Sequence, residues 1–359
     1  MSEPSSEGPS RAAVIGTGLM GGSIGLALRA AGWWVTGIDS DPTRVEAARA
    51  LGAVDAVGEP SGPVDVTFVA TPVGAIPAAV RHALDFSRWV TDVGSVKAPL
   101  VAEIADPRFV GGHPMAGSEQ EGVEGASATL FTGATWVLTP VESTDPDAYA
   151  TVRSSVSSLG ADVIAVPPDA HDELVAVVSH VPHLAAATLM ALASEGADEH
   201  RALLRLAAGG FRDMTRIAAG NPAIWPDICA ANRTAIGAVL DRLLDALTTT
   251  RDLVAAGDRD GLLDTLERAR AARRSLPVAG PATGELAVVR VPVPDRPGVL
   301  ADVTTLATDL GVNIVDLEIA HSSEGPAGVL ILVVEESATE RFTGGLLARG
   351  YRPSVTSLR

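Results

Sequence analysis

A glycine-rich turn near the N-terminus constrains the fold of this chain more than any other feature. Gly16, Gly18 and Gly21 follow an apolar run at residues 12–15 and open a stretch with helical spacing. Between a strand and a helix, the first glycine permits a tight turn, the second lets the backbone approach a pyrophosphate, and the third lets helix and strand pack closely. The helix N-terminus then presents free N–H groups to phosphates. The pattern predicts a dinucleotide-binding turn; a purely structural tight turn is the weaker alternative.

An acidic residue after the second predicted strand bears on the choice of nucleotide. Asp39 stands where a carboxylate accepts hydrogen bonds from ribose hydroxyls and repels a 2′-phosphate. Asp41 adds a second negative charge, and the nearest arginine, Arg44, lies inside the next predicted helix. The sequence therefore favours NAD over NADP. The residues predicted to bind this cofactor are Gly16, Gly18, Leu19, Met20, Gly21, Asp39 and Thr71.

The hydrophobic pattern changes twice along the chain. Residues 11–168 alternate short β-branched runs with helical patterns, which predicts an α/β fold with a Rossmann-type, doubly wound parallel sheet. Residues 169–276 are Ala/Leu-rich with helical spacing and predict an all-helical domain that packs against a second copy of the chain, giving a homodimer. A Pro/Gly-rich linker at 277–284 leads to residues 285–359, whose βαββαβ order predicts a small α+β domain. Residues 1–10 are expected to be a disordered tail.

Composition excludes several classes of partner. The formal charge is −17, so the chain repels phosphate backbones and anionic lipid, and we expect neither a nucleic-acid nor a membrane partner. Cys229 is the single cysteine, which suits a reducing compartment. The polar N-terminus lacks the apolar stretch of a signal peptide, and Ala-rich runs are too short for a membrane span. These features predict a cytoplasmic enzyme.

Two polar motifs follow neighbouring predicted strands. Ser95 lies in one and His113 in the other, so both are expected at the crevice where the strands of a doubly wound sheet end. Oxidation of an alcohol needs a base, because a hydride leaves carbon only as the hydroxyl loses its proton. His113 is therefore the predicted general base, with Ser95 able to hydrogen-bond both His113 and the substrate hydroxyl. A structural role for His113 in its Gly/Pro-rich loop is the alternative.

The helical region supplies a second set of candidates. His180 and His183 share a helical face. A metal site is disfavoured because neither a cysteine nor a third histidine stands at ligand spacing, and packing is the alternative role for His180. Arg212 and Arg216 are four residues apart, so both can reach one pocket, and a guanidinium matches a carboxylate. An exposed arginine face is the alternative there.

Taken together, five motifs resemble the prephenate/arogenate dehydrogenases of tyrosine biosynthesis. The resemblance covers residues 11–276 and implies NAD-dependent oxidation of the ring C4 hydroxyl of prephenate, with loss of CO2 to give 4-hydroxyphenylpyruvate. The motifs are, in chain order, GTGLMGGS, DVGSVK, GGHPMAGSE, SHVPH and FRDMTRIA.

The resemblance also implies roles for single residues. It makes His113 the general base, positioned by Ser95, and Arg216 the ligand of a substrate carboxylate. It places His183 close to the substrate and Glu119 at the mouth of the site, in an ionic gate with Arg216. The residues expected to bind substrate are Ser118, Glu119, His180, Arg212 and Arg216.

The C-terminal region resembles an ACT domain, a small amino-acid-sensing module. The motif DRPGVL lies between a predicted strand and helix, where backbone N–H groups suit an effector carboxylate. The resemblance implies tyrosine as a feedback effector bound between paired domains; a dimer-forming module without a ligand is the alternative. The effector residues would be Asp295, Gly298, Val299, Leu300 and Asn313.

Lys97 is the only lysine of the chain and belongs to DVGSVK. We interpret its retention as a site that arginine cannot fill, because an ammonium is compact and a guanidinium is broad.

Three rival functions remain. A β-hydroxyacid dehydrogenase would rely on a helical lysine in its second domain, and this chain has none there. A close relative acting on arogenate or 4-amino-4-deoxyprephenate shares all five motifs and is not excluded. A non-catalytic amino-acid sensor is disfavoured by the intact set of Ser95, His113 and Arg216.

Overall fold

The computed structural model describes residues 9–117, 120, 122–199, 206–275, 286–294, 296–321 and 327–357. The chain divides into two compact units, Met1–Arg259 and Asp260–Arg359. The predicted linker at 277–284 and most of the predicted tail at 1–10 lie outside the described residues. The domain boundaries drawn from the sequence therefore stay predictions.

The first unit is built on an eight-stranded sheet. Its strands are β1 (Arg11–Ile15), β2 (Trp34–Ile38), β3 (Ala56–Val57), β4 (Val64–Val69), β5 (Ser87–Asp92), β6 (Phe109–Pro114), β7 (Thr135–Thr139) and β8 (Asp162–Ala165). The helices between them are α1 (Leu19–Ala30), α2 (Pro42–Leu51), α3 (Ile76–Leu84), α4 (Ala98–Glu103) and α5 (Pro146–Ser158).

The strand order is β3-β2-β1-β4-β5-β6-β7-β8, so the topological switch point lies between β1 and β4. Strands β1 to β6 run parallel, whereas β7 pairs with β6 antiparallel and β8 continues parallel to β7. The predicted doubly wound sheet is therefore present, with a reversed pair of strands at one edge. Ligands of such sheets bind at the carboxyl ends of the parallel strands, near the switch point.

Both faces of the sheet are covered by apolar helices. Adjacent residues of β1 point to opposite faces: Val14 packs in a cluster with Ile24 of α1, and Ile15 in a second cluster with Val80 of α3 and Leu100 of α4. Burial on both faces is what the continuous apolar runs of β1 and β4 require. The polar residues that follow these strands therefore lie at the carboxyl ends of the strands.

A helical region completes the first unit. Its helices are α6 (Pro168–Val175), α7 (Val181–Glu199), α8 (Gly209–Thr215), α9 (Trp225–Ala231) and α10 (Arg233–Ala256). One turn of π-helix, Ala176–His180, joins α6 to α7. Pro182 follows it, and a proline within a helix lacks an N–H donor and clashes with the carbonyl four residues earlier. The wider turn absorbs that clash, so the helix continues across Pro182 and His180 is carried into the interior, 1% exposed.

This continuity produces a longer apolar helix than the sequence suggested. By length and composition alone the segment Pro168–Glu195, with a mean hydropathy of 1.6 in its most apolar window, is sufficient to cross a membrane. The same segment holds His171 and Asp172, both almost fully buried in hydrogen bonds to the sheet domain. Those contacts tie the start of this helix to the sheet domain.

The second unit begins with a helix and continues in the predicted βαββαβ order. Its elements are α11 (Arg259–Arg274), β9 (Leu286–Pro294), α12 (Val299–Asp309), β10 (Ile314–His321), β11 (Ala327–Glu335), α13 (Thr339–Ala348) and β12 (Ser354–Ser357). The strands form an antiparallel sheet in the order β10-β11-β9-β12. One apolar cluster, which includes Leu332, Val303 of α12 and Phe342 of α13, packs the two helices on the sheet.

Candidate active site

The glycine turn has the geometry that the sequence predicted. Gly16 has a φ of +90°, and a Cβ added there would lie 2.5 Å from the carbonyl oxygen of Ala70. A Cβ on Gly21 would lie 1.8 Å from the carbonyl oxygen of Gly16, so the start of α1 can approach the turn only without a side chain. Gly18 precedes α1, and a Cβ there would meet nothing within 4 Å. The turn thus leaves open space at the N-terminus of a helix, where phosphates bind.

Polar groups beside the turn are arranged for a nucleotide. The Asp39 carboxylate accepts hydrogen bonds from the backbone N–H (2.7 Å) and the hydroxyl (3.1 Å) of Thr17, and from the backbone N–H of Asp41 (3.0 Å). The hydroxyl of Thr71, next to Gly16 at the end of β4, is buried and has no hydrogen-bond partner in the described structure. Buried polar groups are nearly always bonded, so this hydroxyl is a candidate to bond a nucleotide. Leu19 and Met20 begin α1 and are half-buried.

His113 is the last but one residue of β6 and is 9% exposed. Its Nδ1 lies 2.8 Å from Nε2 of His171, and Nδ1 of His171 lies 2.8 Å from a carboxylate oxygen of Asp172. Ser95 is half-buried and follows β5, which pairs parallel with β6. The structure therefore brings Ser95 and His113 to the same carboxyl end of the parallel strands as the glycine turn. It also bonds His113 to His171 of α6, which in turn bonds Asp172.

Asp172 ties α6 to the sheet domain. Its two carboxylate oxygens accept the backbone N–H groups of Lys97 (2.8 Å) and Ala98 (2.9 Å) at the start of α4. The side-chain amide of Asn232, before α10, donates to the backbone carbonyl of Asp172 at 2.9 Å. These bonds satisfy N–H groups that a helix start leaves without partners, and they fix the carboxylate in position.

A buried ion pair bonds the backbone of the residue before His113. Lys97 is fully buried; its ammonium donates to the Asp92 carboxylate and, at 2.8 Å, to the backbone carbonyl of Gly112. Asp92 also accepts the backbone N–H groups of Gly94 (2.8 Å) and Gly112 (3.0 Å). Burial lowers the pKa of Lys97, and the charge of Asp92 opposes that shift. The pair joins the ends of β5 and β6, the strands that carry Ser95 and His113.

His180 and His183 contact the same indole. The ring of His183 stacks on Trp225 with centroids 3.7 Å apart and an angle of 13°, and His180 meets that ring edge-on at 6.1 Å. The amide of Asn232 lies 3.2 Å from Nδ1 of His180, whose buried Nε2 has no hydrogen-bond partner in the described structure. Burial lowers the pKa of His180 to about 4, and burial also lowers the pKa of His183. Both rings are therefore neutral at pH 7.

The two predicted arginines are exposed. Arg212 in α8 donates its Nε to the carbonyl of Ala207 at 3.3 Å, and Arg216 begins a 3-10 turn where α8 ends. Their convergence on one pocket stays a prediction. Ser118 and Glu119, predicted at the mouth of the site, lie outside the described residues.

Sequence reasoning missed His171 and Asp172 as partners of the predicted base. His171 is 58 residues from His113 along the chain and belongs to another structural region. The available signal was an adjacent His-Asp pair in the first helix after the last strand of the sheet.

The comparisons with known proteins agree with this geometry. Residues 24–165 match the family described as the nucleotide-binding domain of prephenate dehydrogenase, residues 167–268 its dimerization domain, and residues 287–342 the ACT domain. The prephenate dehydrogenase of Bacillus subtilis is 33% identical over 335 residues, which are 88% of this chain and 89% of that protein. The chain belongs to the prephenate dehydrogenase family.

Solved structures of the prephenate dehydrogenase family agree. The prephenate dehydrogenase of A. aeolicus, crystallised with hydroxyphenyl propionate and NAD+, matches with a TM-score of 0.70 at 29% identity, over 75% of this chain and 98% of that one. The arogenate dehydrogenase of Synechocystis matches with a TM-score of 0.64 at 30% identity, over 73% of this chain and 98% of that one. The predicted family, fold class, NAD-binding Rossmann domain and enzyme class are confirmed, and the sensor and β-hydroxyacid dehydrogenase readings are set aside.

The ACT domain presents most of the predicted effector residues at its surface. Gly298, with a φ of +89°, precedes α12, and Leu300 and Asn313 are exposed. The side chain of Val299 instead packs in the domain core, 5% exposed, so only its backbone can face an effector. Asp295 lies outside the described residues.

Proposed function

We propose that this enzyme catalyses the NAD-dependent oxidative decarboxylation of prephenate to 4-hydroxyphenylpyruvate in tyrosine biosynthesis. The observation that carries the proposal is His113, a buried imidazole bonded to His171 at the sheet edge that also holds the glycine turn. Nδ1 of His113 is engaged by His171, so Nε2 is the nitrogen that serves the substrate. A base at this edge suits removal of a hydroxyl proton beside a dinucleotide.

The reaction follows from that placement. NAD, when bound at the turn, accepts a hydride from C4 of the substrate. His113 takes the hydroxyl proton at Nε2, and the O–H electron pair forms the C4 carbonyl. The bond between the ring and its carboxylate then breaks, CO2 leaves, and the electron pair enters the ring. The oxygen on C4 then takes up a proton, which gives the phenol.

The remaining residues hold the substrate in this proposal. Ser95 hydrogen-bonds the C4 hydroxyl and orients it towards His113. Arg216 binds a substrate carboxylate through its guanidinium, a geometry that favours a bidentate pair. His183 lies against the bound substrate, and the unpartnered Nε2 of His180 supplies one more hydrogen bond. Ser118, Glu119 and Arg212 are the further residues proposed to bind the substrate.

The environment of His113 sets the expected pH dependence. Burial above all, and then repulsion of its charged form by the neighbouring basic groups of His171, Lys97 and His180, lower the pKa of His113 well below its ordinary value of 6.5. The neutral base therefore persists as the pH falls through 7. We expect kcat/KM for prephenate to be flat near neutral pH and to fall only below pH 6.5, where His113 takes up a proton. Initial rates from pH 5 to 9 test this; an acidic limb centred at or above pH 6.5 would contradict it.

The identity of the substrate is tested by parallel steady-state assays. Prephenate, arogenate and 4-amino-4-deoxyprephenate are each supplied with saturating NAD, and the proposal requires the highest kcat/KM with prephenate. Arogenate is the second candidate, because the arogenate dehydrogenase of Synechocystis shares this fold at 30% identity. A higher kcat/KM with arogenate would replace the proposed substrate and leave the base in place.

Asp39 is proposed to select NAD. Asp39→Asn keeps an acceptor for Thr17 but removes the charge that repels a 2′-phosphate. We expect the ratio of kcat/KM for NAD to that for NADP to fall about 10-fold. Asp41→Asn, which retains a good N-cap for α2, is the control and is expected to change the ratio less than about three-fold. Native preference for NADP, or an unchanged ratio in Asp39→Asn, contradicts the assignment.

Tyrosine is the proposed feedback inhibitor, bound at the ACT domain. Asn313 is exposed beside β10. We expect Asn313→Ala to raise the inhibitory tyrosine concentration about 10-fold, which corresponds to the loss of one or two hydrogen bonds to the ligand. The kcat without tyrosine should stay unchanged. Assays of prephenate oxidation with added tyrosine measure this. Full inhibition of a chain that ends at residue 280, or no inhibition of the native chain, would count against the proposal.

We also propose a cytoplasmic homodimer formed through the helical region. The matched dimerization segment exposes Val178 (65%), Leu192 (62%), Leu244 (61%) and Leu247 (56%). Apolar side chains at this density on helices are typical of an interface. Sedimentation equilibrium of the full chain is expected to give twice the monomer mass.

A further inference from the structure

Two buried residues of α6 have no part in the reaction as described above. His171 is 1% exposed and Asp172 is 5% exposed. They form a continuous chain of hydrogen bonds with His113, each of 2.8 Å: His113 Nδ1 to His171 Nε2, and His171 Nδ1 to Asp172. The two imidazoles meet edge-on at 5.1 Å. Such a chain constrains which nitrogens carry hydrogen.

The proton positions follow from the carboxylate end. An ionised carboxylate only accepts hydrogen bonds, so Nδ1 of His171 must be the donor to Asp172. With His171 neutral, one of its nitrogens donates and the other accepts, so its Nε2 is an acceptor. Nδ1 of His113 must then donate to it. The remaining nitrogen of His113, Nε2, is left with its lone pair, which is the form that a general base needs.

We propose that His171 and Asp172 are positioning residues that hold His113 in the tautomer with hydrogen on Nδ1. The inference rests on the proposed function for the role of His113 as base. When Nε2 takes the substrate proton, the resulting imidazolium still donates to His171, whose other nitrogen faces the Asp172 carboxylate. The same logic operates wherever a carboxylate orients a catalytic histidine, here with a second imidazole between them.

The carboxylate is prevented from turning away. Its oxygens also accept the backbone N–H groups of Lys97 and Ala98, so rotation of Asp172 would break two further bonds. Three other charged or titratable groups lie near this series of hydrogen bonds. Lys97 and Asp92 neutralise each other, and His180 is neutral at pH 7. The negative charge of Asp172 therefore remains directed at His171.

The first test reads the tautomer directly in the full-length native enzyme. Nitrogen-15 NMR of protein labelled at histidine distinguishes a protonated ring nitrogen from a bare one, and the His113→Asn spectrum assigns the signals of His113. We expect Nδ1 of His113 to be protonated and Nε2 to be bare at pH 7.5. Hydrogen on Nε2 instead would overturn the proposal, whether or not prephenate proves to be the substrate.

The second test removes the middle ring. His171→Phe keeps a ring in the same space but cannot accept from His113, so kcat for the best substrate is expected to fall at least about 100-fold. The KM for NAD should change less than about two-fold. His171→Gln, whose amide oxygen can accept from Nδ1, is expected to recover at least about 10-fold of that loss.

The matched control is His82→Gln, because His82 is exposed on α3, where it bonds Glu59 and contacts the ring of Phe86. It is expected to retain native kcat. Native kcat in His171→Phe, or equal losses in His171→Phe and His171→Gln, would refute the positioning role. If His171→Phe does not fold, as judged by its thermal transition, the NMR result on the native enzyme decides.

Discussion

Replacement of His113 by asparagine is expected to lower kcat for prephenate about 1,000-fold, with the KM values for prephenate and NAD changed less than about three-fold. Asparagine retains a polar group that can bond His171, but its amide cannot take a proton at neutral pH. The loss should therefore fall on the chemical step rather than on binding. NADH formation under saturating substrates measures it.

His82→Asn is the control for this experiment, because His82 lies on the exposed face of α3. Its kcat is expected to match that of the native enzyme. Thermal shifts induced by NAD in both variants show that the nucleotide site is intact. Turnover by His113→Asn within about 10-fold of native would refute the base assignment and, with it, the mechanism.

Replacement of Lys97 by methionine is expected to destabilise the first unit by about 3–5 kcal/mol, because it leaves the Asp92 charge buried without its partner. Both side chains are inaccessible to solvent, so water cannot compensate for the lost ammonium. For a unit of this size the loss corresponds to a fall in Tm of about 10 °C. Calorimetry of the NAD-free enzyme measures it.

Two further variants sharpen this prediction. Lys97→Arg must place a broad guanidinium where a compact ammonium bonds Asp92 and Gly112, so we expect lower stability and activity in this variant too. Arg81→Met, which breaks an exposed pair with Glu103, is the control and should change stability by less than about 1 kcal/mol. Full activity and stability in Lys97→Arg would show that the lysine is replaceable.

Sequence patterns predicted the parts of the site that depend on local structure. Gly16 and Gly21 lie in one turn, and their requirement for glycine follows from backbone contacts within a few residues. Ser95 and His113 were placed together because parallel strands end at a common edge. The sequence therefore predicted the fold, the glycine turn and the place of His113 at the carboxyl end of its strand.

The contacts of His113 with the helical region do not follow from the sequence in the same way. The contact between His113 and His171 depends on how α6 docks on the sheet, which no periodicity encodes. The burial of His180 depends on a π-helical turn before Pro182, whereas a proline in a helical pattern usually predicts a break. The uniqueness of Lys97 indicates a site that arginine cannot fill, but neither its burial nor its partner Asp92 follows from the sequence.

The bond between His113 and His171 also limits how this enzyme can be recombined with its relatives. It crosses from the segment 24–165 to the segment 167–268, so a chimera joined at that boundary would take the proposed base His113 from one parent and its partner His171 from the other. Exchanges intended to alter nucleotide preference should therefore cross over after Asn232. A fragment that ends there contains His113, His171 and Asp172 from one parent, together with the Asn232 amide that bonds the carbonyl of Asp172.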